Sequence, residues 1–270
     1  MRTFIFGATA LATALVAAPA MAQDAAPAAA PAATPEFTIN GGATAVSDYR
    51  FRGISQTDRH FAIQGTMTLT HKSGFYVSVW GSSIDDYVAA SSDQEIDLIG
   101  GYSHTFGKVK LDGGVLYYVY PGHFHGAKTD FFEPYLSATD TIGPVTAKLG
   151  MAYAPAQHAI AYNHNRDDNL YVYGELSGAI PGTPITLTSH VGHTFGRSLL
   201  SLGATGYWDW NVGATYTWKA LTFGVSYVDT NFKRHGLHGG IDLIDTPAGN
   251  NTSLYHEVKG GVVGSIGVAF

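Results

Sequence analysis

Apolar and polar residues alternate along most of the chain with a period of two, which is the spacing of the two faces of a β-strand. In the segment 60–70 the apolar face carries Phe61, Ile63, Met67 and Leu69. In the segment 206–219 it carries Trp208, Trp210, Val212, Ala214, Tyr216 and Trp218. After the amino terminus no stretch reaches the roughly 18 consecutive apolar residues of a transmembrane helix. The pattern therefore predicts an all-β protein.

Twelve segments with this alternation can be counted, and the links between them are alternately short and long. The segments are 37–52, 60–71, 75–85, 93–106, 108–120, 130–142, 145–157, 169–180, 184–196, 206–219, 221–230 and 253–270. The longer, polar links are 53–59, 86–92, 121–129, 158–168, 197–205 and 231–252. Outer-membrane barrels have such short periplasmic turns and longer extracellular loops. The sequence thus predicts an up-and-down antiparallel transmembrane β-barrel of about 12 strands, with both termini periplasmic.

A soluble barrel or sandwich would also alternate, but two features favour the membrane. The segments are longer than the usual soluble strand of about five or six residues. Aromatic residues lie near the segment ends, as in the girdles of membrane barrels: Tyr49, Phe51, Phe75, Phe106, Tyr153, Phe195, Trp208, Trp210, Trp218 and Phe223. The chain ends in Phe270, on an alternating strand, which resembles the recognition signal of the outer-membrane barrel-assembly machinery.

The amino-terminal residues predict export. Residues 1–22 have the features of a signal peptide, with Arg2 followed by the apolar stretch 4–16 and a cleavage site after Ala22. The alternative, a membrane anchor, is disfavoured because the apolar stretch is too short for a span of ~20 residues. Residues 23–35 are mainly Ala and Pro, which predicts a flexible tether. Residues 36–270 then form the barrel, in the outer membrane.

Composition narrows the class of partner. Without Arg2, 14 of the 15 basic residues remain against 21 acidic ones, a formal charge of −7 that disfavours nucleic acid. Charged residues make up 13% of the chain, about half the usual share for soluble domains. The chain contains no cysteine, so no disulfide framework is expected. The expected partners are outer-membrane lipids and small polar solutes.

One early run resembles the hallmark of a known family. It reads Val46-Ser47-Asp48-Tyr49-Arg50-Phe51-Arg52-Gly53-Ile54-Ser55-Gln56-Thr57 and is similar to that of the TorF family of porins. The likeness continues in Ser73-Gly74-Phe75-Tyr76, Val79-Trp80-Gly81-Ser82, Glu95-Ile96-Asp97, Gly100-Gly101-Tyr102 and Tyr117-Tyr118-Val119-Tyr120-Pro121-Gly122. The resemblance implies a proteobacterial barrel of porin type, without an established substrate or catalytic residue.

If the apolar faces meet lipid, the other set of residues faces the lumen. The charged members of that set and one histidine are Asp48, Arg50, Arg52, Glu95, Asp97, Lys108, Lys110, Asp112, Glu133, Lys148, Glu175, His190, Asp209, Lys219, Glu257 and Lys259. Both signs are nearly balanced. Arg50 and Arg52 are two residues apart, so on one strand they would point to the same side and form a charge stack with Asp48.

Two hypotheses of function follow from these residues. The first is a charged constriction through which small polar solutes diffuse passively, selected by size and charge. The second is a non-conducting structural or surface-binding barrel, in which paired charges fill a lumen of intermediate width. The link 231–252 could fold inward as a partial plug or present a surface to a partner.

Enzymatic and metal-binding functions have less support. The sequence contains no G-x-S-x-G elbow, and no spacing nominates a nucleophile with its base, so neither an enzyme nor a cofactor is predicted. His123-x-His125 and His235-x-x-His238 offer two imidazoles in each long link, too few for a defined metal site.

Overall fold

The computed structural model describes residues 35–162, 165–232 and 255–270. Twelve antiparallel strands form a closed barrel, as the sequence predicted. These strands are β1 (Phe37–Val46), β4 (Ala62–His71), β5 (Phe75–Ser83), β6 (Gln94–Phe106), β7 (Val109–Val119), β8 (Phe131–Ile142), β9 (Val145–Gln157), β10 (Asp167–Ala179), β11 (Ile185–Phe195), β12 (Gly206–Trp218), β13 (Leu221–Thr230) and β14 (Gly261–Ala269). Four elements are not part of the barrel wall: β2 (Arg50–Phe51), β3 (Ile54–Ser55), a short 3-10 helix (Leu199–Ser201) and the helical turn α1 (Tyr255–Val258).

The barrel closes because its first strand pairs on both sides. In β1, Gly42 pairs with Ala269 of β14 and with Thr66 of β4. All the other strands pair with their neighbours in chain order, as expected for an up-and-down barrel. The short turns, the start of β1 and the end of β14 lie at one end of the barrel, called here the short-turn end. The longer links lie at the opposite, long-loop end.

Side-chain exposure follows the predicted alternation. In β9 the exposed residues Leu149 and Met151 alternate with the buried residues Gly150 and Ala152. Large hydrophobic side chains are therefore exposed around the wall, an arrangement that suits lipid rather than water. No helix among the described residues is long and apolar enough to cross a membrane. The exterior is that of an outer-membrane barrel.

Ten of the twelve predicted segments agree with the strands to within two residues, and the first and last do not. The predicted strand 37–52 was wrong beyond Val46, because the chain leaves the wall there and folds into the lumen. The predicted strand 253–270 begins only at Gly261, after the helical turn α1. Tyr49 and Phe51 were wrongly placed in the aromatic girdle, since both side chains are buried inside the barrel.

The lipid-facing surface predicts a depth-dependent cost for charge. Val212 lies at the middle of β12 and Val262 near the long-loop end of β14, and both side chains face outward. We expect Val212→Arg to lower the free energy of unfolding by about 2–4 kcal/mol and Val262→Arg by about 0–1 kcal/mol. Denaturant titration of the barrel refolded in phospholipid vesicles measures both values. Equal penalties at the two positions would contradict the assignment of this surface to lipid.

Candidate functional site

The segment that follows β1 forms a hairpin inside the barrel. Arg50 pairs with Ser55 and Phe51 with Ile54, so only two residues form the turn. Both turn residues have positive φ, 49° at Arg52 and 80° at Gly53, the combination that defines a type I′ hairpin turn. Residues 48–57 are all buried, and we call them the inward hairpin.

The tip of the inward hairpin reaches the far side of the barrel wall. Arg52 donates hydrogen bonds from one nitrogen to both carboxylate oxygens of Glu133 in β8, at 2.8 and 2.9 Å. It donates another to the amide oxygen of Asn169 in β10, at 3.1 Å. In the order of strands around the barrel, β8 and β10 flank β9, which lies opposite β1. The hairpin therefore crosses the whole lumen.

Aromatic rings and hydroxyls hold the tip of the hairpin. The Arg52 guanidinium lies 4.3 Å from the ring centre of Tyr171 and 4.6 Å from that of Phe51, within cation–π range. The hydroxyl of Tyr207 donates to the backbone oxygen of Arg52 at 3.0 Å. The hydroxyl of Tyr118 donates to Glu133 at 2.7 Å. The buried charge pair is thus surrounded by hydrogen-bonding partners, which a buried pair requires to be stable.

The base of the hairpin is held by a second arginine. The Nε of Arg50 donates to Asp48 at 2.6 Å, and Asp48 also accepts from the hydroxyl of Ser55 at 2.7 Å. A terminal nitrogen of Arg50 donates to the backbone oxygens of Gly53, Glu257 and Lys259. Arg50 therefore connects the hairpin to the segment that precedes β14, where the helical turn α1 lies.

A polar cluster joins the hairpin to the long-loop end. The hydroxyl of Tyr87 lies 2.7 Å from the backbone oxygen of Ser55 and 2.9 Å from a carboxylate oxygen of Glu257. His256 contacts Asp58, with Nδ1 and Oδ1 2.9 Å apart. Burial, together with the negative charge of Asp58, raises the pKa of Glu257 to about 7. Burial and the adjacent Glu257 also raise the pKa of Tyr87.

The predicted acidic residues near the long-loop ends of β6 and β12 lie inside the barrel. The hydroxyl of Tyr49 on the hairpin donates to Glu95 at 3.1 Å, and Asp97 is buried two positions further along β6. On the other side of the lumen, the hydroxyl of Tyr171 donates to Asp209 at 3.0 Å. The structure thus places Glu95 against the hairpin and Asp209 against Tyr171, which contacts the hairpin tip.

A second group of predicted residues lies toward the short-turn end. The hydroxyl of Tyr76 donates to Asp112 at 2.7 Å. The amine of Lys148 lies 3.7 Å from a carboxylate oxygen of Glu175, on the neighbouring strand. Asp112 and Lys148 are half-buried rather than fully enclosed. This part of the lumen is therefore lined by charges of both signs, as the alternation predicted.

The predicted stack of Asp48, Arg50 and Arg52 on one strand was wrong. Arg50 does pair with Asp48, but the turn at Arg52 sends the two arginines to different partners. Lys110 and Lys259 are exposed: Lys110 is the second residue of β7, near the short-turn end, and Lys259 lies outside the strands. Glu257 was also assigned to a strand, whereas it lies in α1, with its side chain buried.

Several residues that contact the hairpin were not predicted from the sequence, since none of them is an acidic or basic residue. They are Tyr87, Tyr118, Asn169, Tyr171 and Tyr207. A signal was present in the sequence, since three of these tyrosines fall on the same alternating face as the predicted lumen charges. Tyr207 shares that face with Asp209, for example. A large aromatic residue on the polar face indicates a lumen that is narrowed by side chains.

Two groups of metal-donor residues occur among the described residues, and Asp58 belongs to both. One contains Asp58, His256 and Glu257, and the other contains Asp58, His60 and Asp85, each with donor atoms within 4.8 Å of one another. The contact between His256 and Asp58 accounts for their positions without an ion. Of the predicted histidine pairs, His123 contacts the backbone oxygen of Tyr120 at 2.8 Å, and the pair at 235 and 238 lies outside the described residues.

A closed wall of twelve strands, apolar outside and polar within, defines an outer-membrane β-barrel of porin-like architecture. The chain belongs to the Gcw_chp family, described as bacterial proteins of unknown function, whose model matches residues 28–249. No curated protein matches the chain by sequence.

The fold is found in solved structures of other proteins. The chain resembles the NanC porin in its rhombohedral crystal form, with a TM-score of 0.52, 11% identity, and coverage of 86% of this chain and 99% of that one. It also resembles a structure described as "Unveiling the Mechanism Behind the in-meso Crystallization of Membrane Proteins", with a TM-score of 0.51, 11% identity, and coverage of 86% and 83%. At such low identity, the likeness supports the fold alone.

Proposed function

We propose that the protein is a porin that admits small polar solutes by passive diffusion through a lumen narrowed by the inward hairpin. In this proposal the chain is a TorF-type porin without enzymatic activity, delivered by a signal peptide cleaved after Ala22. The short-turn end and both termini face the periplasm. Phe270 serves as the signal for the barrel-assembly machinery.

The observation that carries the proposal is the crossing of the lumen by residues 48–57. A constriction formed by a loop that folds inward can set the size of a solute that passes. Charged side chains on the wall below the hairpin, Asp112, Lys148 and Glu175, can favour one sign of ion over the other. In this proposal the hairpin limits size, and these wall residues set selectivity.

The second candidate function is a non-conducting barrel, and one observation favours it. Arg52 and Glu133 have fully buried side chains, and an ion pair of this kind must be broken before the hairpin can leave the lumen. Removing one partner of a buried pair typically costs about 3–5 kcal/mol. A hairpin fixed that firmly would act as a permanent plug, and the barrel would then serve a structural or surface-binding role.

Single-channel recording in planar bilayers separates the two functions. We expect the purified wild-type protein to give discrete steps of low conductance, with a reversal potential in a salt gradient that reports ion selectivity. Lys148→Gln removes a positive charge and should shift selectivity toward cations, whereas Asp112→Asn should shift it toward anions. Absence of steps from the wild-type barrel at every voltage would rule out an open porin.

Lys219 provides a control for the selectivity measurement. This residue lies in the turn between β12 and β13, outside the strands, with its amine 4.8 Å from the ring centre of Trp218. Lys219→Gln changes the net charge by the same amount as Lys148→Gln but leaves the wall beneath the hairpin intact. An equal shift in both variants would mean that net charge, rather than the wall residues, sets selectivity.

A further inference from the structure

A partly open cavity lies above the inward hairpin, at the long-loop end. It is a cavity of about 300 Å³, with Phe51 and Ile54 of the hairpin forming part of its lining. The rest of the lining comes from Gln56 of the hairpin, from Phe131 of β8, from the four links β5–β6, β7–β8, β9–β10 and β11–β12, and from α1. Its volume lies at the lower end of the range for small-molecule sites.

The lining of this cavity is mainly apolar, unlike the lumen wall below. Ile160 from the β9–β10 link and Ala89 from the β5–β6 link are both buried. Phe131, at the start of β8, is also buried and contributes an aromatic face. A small polar solute would find few partners here, whereas an apolar molecule would be removed from water on most sides. The cavity is therefore suited to a different chemical class from the proposed porin solutes.

One acidic group interrupts the apolar lining. Glu257 is 2% exposed and lines the cavity together with Tyr87, whose hydroxyl contacts it. Among the residues that the structure describes, the lining contains one basic residue, Lys128, and its side chain is exposed. Among the neighbours of Glu257, His256 is a weak partner, with 3.4 Å between the nearest nitrogen and oxygen. A buried carboxyl group beside an apolar space favours a ligand that brings a cationic donor.

We propose that this cavity binds a small, largely apolar amine, with its ring or hydrocarbon part against Phe51, Ile54 and Ile160 and its amine at Glu257. The complementarity of charge selects the amine, and the apolar lining selects the rest of the molecule. This proposal does not depend on conduction through the lumen, because the cavity lies on the long-loop side of the hairpin and is equally present in a non-conducting barrel.

Equilibrium dialysis with two matched probes tests the proposal. The probes are 1-naphthylmethylamine and 1-methylnaphthalene, which share the ring system and differ in the amine. The full barrel is used in lipid nanodiscs, and empty nanodiscs measure partition into lipid. We expect saturable binding of the amine, above that of empty nanodiscs, and weaker binding of the hydrocarbon. Glu257→Gln should reduce affinity for the amine about tenfold or more and leave the hydrocarbon nearly unchanged.

Cavity-filling variants locate the site. Ile160→Trp should abolish binding of both probes, whereas Leu149→Trp, on the lipid face, should leave both unchanged. If Ile160→Trp does not fold, as judged by far-UV circular dichroism, Ala89→Leu fills the same cavity from another link. The proposal is overturned by wild-type binding no greater than that of empty nanodiscs. It is also overturned if Glu257→Gln weakens both probes equally, or if Leu149→Trp and the cavity-filling variant behave alike.

Discussion

Replacement of residues 50–55 by Asn-Gly is expected to raise the single-channel conductance of the barrel by at least about threefold, since the free cross-section of the pore grows when the inward hairpin is removed. The variant lacks both arginines and every side chain that reaches β8 and β10. The backbone nitrogen of Gln56 donates to the oxygen of Tyr49 at 2.7 Å, so the two ends of the deleted segment are already adjacent. A two-residue type I′ turn with Asn-Gly can join them without strain.

A replacement of equal length provides the control. Residues 122–127 lie in the β7–β8 link, and Asn-Gly in their place also replaces six residues by two. This change leaves the hairpin and its contacts with the wall intact, so conductance should stay near the wild-type value. An increase in the control as large as that in the hairpin variant would show that the long links, rather than the inward hairpin, limit the pore. An unchanged conductance in the hairpin variant would contradict the proposed constriction.

The barrel wall could be predicted from sequence because its physical cause is local and repeated. Lipid on one side and a polar interior on the other impose the same alternation on every strand, as at Leu149 and Gly150 in β9. Four of the short turns also contain a glycine with positive φ, at Gly74, Gly107, Gly143 and Gly182, and glycine marks turns by its own conformational preference. Each strand could therefore be predicted from its own residues, without knowledge of its neighbours.

The inward hairpin could not be predicted in the same way. Its residues continue the extended pattern of β1, so the alternation does not reveal that the chain leaves the wall after Val46. The turn at Arg52 and Gly53 has positive φ at both residues, and Arg is an unusual choice there compared with Asn or Asp. The local sequence signal for a turn at these two residues is therefore weak, and the contacts that stabilise the turn come from residues far along the chain.

The candidate site was predicted as a set of residues but not as a set of contacts. Glu133 was among the predicted lumen residues, yet it lies 81 positions from Arg52, and no periodicity relates the two. The closure of the barrel places β8, next to the strand opposite β1, across the lumen from the start of the hairpin, and only this closure makes the pair possible. The hydrogen bonds from Arg50 to the segment before β14 arise in the same way, across more than 200 positions.

The ion pair at the tip predicts how firmly the hairpin is held. We expect Glu133→Gln to increase the population of barrels with a displaced hairpin on the order of a hundredfold or more, because it leaves the Arg52 charge buried without its partner. When the hairpin is displaced, Arg52 reaches water and its charge is no longer buried. Glu133→Gln therefore destabilises the barrel by no more than the free energy that holds the hairpin in place. The double variant Arg52→Met/Glu133→Gln contains neither charge and should return most hairpins to the lumen.

Thiol labelling measures this population, since the chain contains no cysteine. Ser55→Cys places a thiol on the hairpin at a position that is 0% exposed, and Ser73→Cys in an exposed short turn monitors the reagent. A maleimide should label Ser55→Cys slowly in the otherwise wild-type barrel, quickly with Glu133→Gln, and slowly again in the double variant. Ser73→Cys should react at one rate in all three backgrounds.

The double variant decides between two accounts of the ion pair. In the first account, each charge of the pair serves only to neutralise the other. Labelling in the double variant then approaches the wild-type rate, because Met and Gln pack in the lumen without a buried charge. If instead the pair itself supplies the attraction that keeps the hairpin inside, labelling in the double variant stays fast, as in Glu133→Gln alone. Slow labelling with Glu133→Gln would contradict both accounts and assign the retention of the hairpin to Arg50 and the tyrosine contacts.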